Sequence, residues 1–108
     1  MSVDLKKLES VNKLVLEVQE LVGTWEFWIE GLSVNPIEVK VWRDSIGMYT
    51  GLTNYLIKNP NQASAYRSTN PAPTVQDAII MAIGGFLAYF KPELVSNTEF
   101  TKADDVRF

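Results

Sequence analysis

The sequence predicts an all-α fold, a small helical bundle of three main helices over residues 3–32, 36–58 and 75–90. Three observations predict it. Apolar residues recur at 8, 11, 15, 18, 22, 25, 29 and 32, a 3-4 spacing that matches one face of a helix. Asn35-Pro36-Ile37-Glu38 has the chemistry of a helix start, with asparagine at the cap, proline in the first turn and glutamate placed to reach back. Ala78 to Phe90 carries no charged residue, and a helix apolar on every side belongs in the middle of a domain.

In the first helix Ser2 is the expected cap, and Leu14, Leu21 and Trp28 widen the apolar face set by the spacing. Gly23-Thr24 offers a point where the helix bends or where a second one begins. The charges run against the helix dipole, with Lys6 and Lys7 early and Glu26 and Glu30 late, so a partner is expected to compensate them. An antiparallel second helix supplies Lys40 and Arg43 for that purpose.

The second helix takes Ile37, Val41, Met48, Leu52 and Tyr55 along one face and stops at Asn59-Pro60. A strand competes for its first residues, because Ile37, Val39 and Val41 alternate with Glu38 and Lys40. Gly47 and Gly51, four apart, read as a helix contact. Residues 59–74 form a long polar loop, either functional or disordered, in which a short helix through Tyr66 is possible. Thr74 then caps the third helix with Asp77 three residues on, and Lys91-Pro92 ends it. About 20 Å long, that helix is too short to span a bilayer. Ala78, Ala82 and Gly85 line one strip of it and invite close approach. The chain thus reads as a single helical domain over 1–95 and a polar C-terminal tail over 96–108.

Composition narrows the function. The chain has 108 residues, no cysteine, no histidine and a formal net charge of −3. Thiolate chemistry and imidazole proton transfer are excluded, no metal or cofactor site is expected, and the acidic balance argues against nucleic acid. No secretory signal is visible, and a cytoplasmic location is expected. No paired carboxylates mark a catalytic site, so the chain is not expected to be an enzyme.

Aromatic residues gather in the first half, which a core layer accounts for as readily as a binding surface does. Phe27 falls outside the main seam, Trp28 lies on its flank and Trp25 lies within it. The loop carries Tyr66 and Arg67 among small residues, and an arginine there is suited to holding a carboxylate or phosphate. Phe27, Trp28, Trp42, Tyr66 and Arg67 are therefore the candidate partner-binding residues. Three helices leave apolar surface uncovered, so the expected function is a small interaction or assembly protein that self-associates as a homodimer, with room for another protein partner. The alternative is a carrier or sensor of an apolar ligand held in a pocket lined by Trp25, Trp28 and Trp42.

Overall fold

The computed structural model, which describes residues 3–104 and 107–108, overturns the all-α expectation. Among these residues the chain is mixed α/β, with five antiparallel strands in two sheets and one long helix. In order these are α1 (Leu5–Glu9), β1 (Glu20–Phe27), β2 (Ile37–Arg43), β3 (Tyr49–Thr53), β4 (Tyr55–Lys58), α2 (Val75–Ala88), a 3-10 turn (Pro92–Asn97) and β5 (Glu99–Lys102). The larger sheet has the order β1-β2-β3, and β4 pairs with β5 in the smaller one.

The expected helix over 3–32 resolves into the short α1, an irregular segment and β1. Asp4 caps α1 by accepting a hydrogen bond from the Lys7 N–H, while Ser2 lies outside the described residues. Lys6 and Lys7 fall in the last turn of this short helix, where the dipole favours them. From Trp25 onward the side chains follow a two-residue period. Trp25, Phe27 and Ile29 are half-buried, whereas Glu26, Trp28 and Glu30 are exposed. Apolar residues are so dense here that they satisfy both periods. The abundance of valine, tryptophan and phenylalanine tips the balance to strand.

The expected helix over 36–58 is instead β2, a turn, β3 and β4, so the competing strand reading of Ile37–Val41 is the one the structure adopts. Ile37, Val39 and Val41 are fully buried on one face of β2. Asn35 serves as a cap of another kind. Its side chain accepts from the Ile29 N–H and donates to the Ile29 and Leu32 carbonyls, closing the turn between β1 and β2. The Asn35–Pro36 peptide bond is cis. Between β2 and β3, Asp44 accepts from the Ile46 and Met48 N–H groups, and Gly47 takes a φ of 85°, a conformation suited to glycine. Gly47 therefore marks a hairpin turn, and Gly51 lies not on a helix but on a strand, where it meets α2 closely.

Of the three expected helices, the third forms, with Thr74 accepting from the Asp77 N–H at 3.0 Å. It is not apolar-buried all round. Ala78, Ala82 and Phe86 face the sheets, while Ile80, Met81 and Leu87 remain exposed. The small residues do permit close approach, but to a strand: a Cβ added at Gly51 of β3 would lie 2.6 Å from the Ala78 carbonyl oxygen. Val39, Val41, Ala72, Ala78 and Ala82 form one core cluster. Leu32, Ile37, Ile57 and Phe86 form a second, with Phe100 of β5 packed against it.

Residues 96–108 are accordingly not simply a polar tail. Glu99–Lys102 pairs residue for residue with β4, and Ala103 N–H donates to the Asn54 carbonyl. Further on, the Arg107 carbonyl accepts from Trp42 Nε1, and Lys40 Nζ lies 4.6 Å from the centre of the Phe108 ring. The chain end thus crosses the face of β2 opposite α2. The long loop is also bonded down: Ala72 exchanges two backbone hydrogen bonds with Tyr49, and Tyr66 two with Ile57. No short helix forms through Tyr66.

Candidate interaction surface

β1 is the edge of the larger sheet. Its inner side pairs with β2 from Glu20↔Arg43 to Phe27↔Ile37, with an irregularity between Leu21 and Gly23. On its other side no described segment hydrogen-bonds to its backbone. An open edge is a template for another strand, and proteins that keep such an edge free blunt it with charged residues, lysine above all, with proline or with a bulge. β1 has no lysine or proline, only Glu20, Glu26 and the one irregularity between Leu21 and Gly23.

The segment that leads into β1 adds exposed apolar bulk. Residues 15–19 run without regular structure into Glu20, and Val11, Leu14 and Leu16 are 74, 83 and 93 % exposed. Isolated apolar side chains on a surface are ordinary, but three this exposed within six residues of sequence, leading into an unpaired strand, suit docking. The segment is held at both ends. Val18 N–H donates to the Glu9 carboxylate, and Arg43 joins Glu20 at 2.9 Å while donating to the Val3 carbonyl. That ion pair replaces the expected one between Arg43 and Glu26. Glu26 instead stands directly across from Glu38, a like-charged pair on the sheet.

The candidate partner-binding residues from the sequence do not come together. Phe27 packs into both core clusters, and Trp28, the residue after β1 ends, is 72 % exposed. Trp42 lies on the far face of the sheet beneath the chain end. Tyr66 packs its ring against Tyr89 at 4.7 Å between centroids, and Arg67 Nη1 donates to the Thr53 carbonyl, tying the loop to β3. Leu14 and Leu16 were hidden from the sequence reading because a helical spacing assigned their stretch to a buried face.

Two clefts stand out among the described residues. The larger, about 540 Å³, opens between the turn before β2 and the chain end and is lined by Asn35, Glu38, Lys40, Asn54, Tyr55 and Lys102 among others. The smaller, about 290 Å³, lies between the 61–66 turn and Tyr89. Neither is lined by tryptophan, so the three tryptophans do not form one pocket wall at either cleft. Among the described residues no group of three carboxylates is placed to hold a metal ion. No helix among them is long and apolar enough to cross a membrane. Comparison with models of known protein families, with curated proteins and with solved structures finds no match.

Proposed function

We propose that this chain is a small non-enzymatic interaction module that binds another polypeptide as a strand added to the open edge of β1. The observation that carries this reading is the unpaired edge itself, continuous with the exposed Leu14 and Leu16. Strand addition draws affinity from main-chain hydrogen bonds and specificity from alternate side chains, and β1 offers both. Another protein or a second copy of this chain can supply the strand. A cysteine-free chain is compatible with a reducing cytoplasmic setting, which belongs to the same proposal.

Hydrogen exchange tests the reading on two samples, the chain recovered gently with its bound components and the same chain stripped and diluted. Slow exchange at β1 amides in the first sample, lost in the second, is the expected result. Unchanged exchange at β1, or new protection confined to the cleft around Lys40 and Lys102, overturns it in favour of a ligand-binding reading.

A further inference from the structure

We infer that the strand added to β1 is β1 of a second copy of this chain, antiparallel and in one register, with Lys13 of each copy facing Glu26 of the other. The inference rests on the edge-docking reading and names its partner. Between Lys7 and Lys40 the chain holds a single cation, Lys13, against Glu9, Glu17, Glu20, Glu26, Glu30 and Glu38. An acidic edge repels an acidic edge unless that one lysine is brought across.

Charge and length then select the register. Pairing β1 with itself alone sets no lysine against any glutamate, because β1 holds Glu20 and Glu26 and no cation. Lys13 facing Glu17 pairs only the irregular segment and leaves β1 open. Lys13 facing Glu20 meets a carboxylate already held by Arg43 at 2.9 Å. With the extra residue at Val22 set as a bulge, Lys13 facing Glu26 places the two-fold axis at Gln19 and pairs residues 13–26 of both copies with no like charges opposed. Each interface then carries this ion pair twice.

The same register accounts for two features left without a partner. Glu26, which faces Glu38 across the sheet, gains a cation. Leu14 and Leu16 come opposite Trp25 and Gly23, whose positions face α2, so the two most exposed leucines near the edge are covered beside the Trp25 ring. Formation requires the Asn12–Val15 turn to open and the Val18 N–H to leave the Glu9 carboxylate for a partner carbonyl. The product is a continuous antiparallel sheet in the order β3-β2-β1-β1-β2-β3, with no free β1 edge.

Sedimentation equilibrium on the full chain provides the test, with Lys13→Glu and Glu26→Lys as variants. Both side chains are exposed, and circular dichroism checks that each variant keeps the wild-type fold. The wild type is expected to dimerise in the micromolar range, and each variant to dimerise about tenfold more weakly, since each opposes like charges at both ends of the interface. Mixing the two variants is expected to restore dimer, because a chain of one variant facing a chain of the other has opposite charges across both ends. A wild type that stays monomeric at high concentration overturns the self-pairing. If its β1 amides are nonetheless protected by a component from extract, the edge-docking reading stands and the partner is another protein. A dimer indifferent to both changes, or a mixture no tighter than its components, overturns the register.

Discussion

Gly51 sits where the backbone of α2 comes nearest the sheet. A methyl group there meets the Ala78 carbonyl oxygen at 2.6 Å and the Ala82 Cβ at 3.0 Å, and neither can swing aside. Gly51→Ala is expected to lower stability by about 1–3 kcal/mol, the usual range for overpacking. Gly84 is its counterpart, since a methyl group on that exposed turn of α2 meets nothing within 4 Å. Gly84→Ala should raise stability by about 0.5–1 kcal/mol through helix propensity alone. Urea midpoints of the two variants on the same chain decide both, and equal shifts would sink the packing account. Asn59 is buried and joins the end of β4 to α2, donating to the Tyr89 carbonyl and accepting from the Asn61 N–H. Asn59→Leu strands those two groups and should cost about 1–3 kcal/mol in the same measurement. None of these roles is visible in the sequence, where Gly51 and Gly84 look alike.

At the scale of elements, β1 shows why one period was read for another. The 3-4 spacing at 15, 18, 22, 25 and 29 is real, but it needs Leu14, Leu21 and Trp28 as extra width and leaves Phe27 outside the seam. Alternation explains Trp25, Phe27 and Ile29 as one face and Glu26, Trp28 and Glu30 as the other, without remainder. The like-signed conflict with a helix dipole pointed the same way. β2 was legible as an alternative through strict alternation, and the start of α2 was legible through Thr74 and Asp77 because capping chemistry is local, although the helix ends at Ala88 and leaves Ile80, Met81 and Leu87 exposed. The open β1 edge was not legible, since an edge is defined by strands distant in sequence. The alternation makes a prediction. Phe27→Ala removes a ring shared by both core clusters and should cost about 3 kcal/mol, whereas Trp28→Ala should stay within about 0.5 kcal/mol for the isolated chain. Comparable losses in chemical denaturation would return these residues to a helix.

Across the whole molecule, the two faces of the larger sheet are covered in different ways. α2 covers the face of Val39 and Val41 with a continuous helix, whereas the opposite face of Lys40 and Trp42 is crossed by the end of the chain. Leu52 pairs with Lys40 across β2 and β3, so it points to this second face, and yet it is fully buried. On that same face Trp42 Nε1 donates to the Arg107 carbonyl and the Phe108 ring lies against Lys40. A reading that treats 96–108 as a polar tail misses this, because the tail's contribution lies in where it is returned by β5 and not in its own hydrophobicity. Removing residues 103–108 should therefore destabilise the body of the protein by roughly 1–2 kcal/mol, the worth of the Ala103–Asn54 hydrogen bond and the Phe108 ring against Lys40. It also removes the carbonyl that accepts from the Trp42 indole, so Trp42 should become more exposed to water. Trp25→Phe and Trp28→Phe in the same background leave Trp42 as the sole tryptophan, and its emission is expected to shift to the red on truncation while far-UV circular dichroism keeps the native sheet signal. An unshifted emission with an unchanged denaturation midpoint would show that the chain end lies on the sheet without covering it.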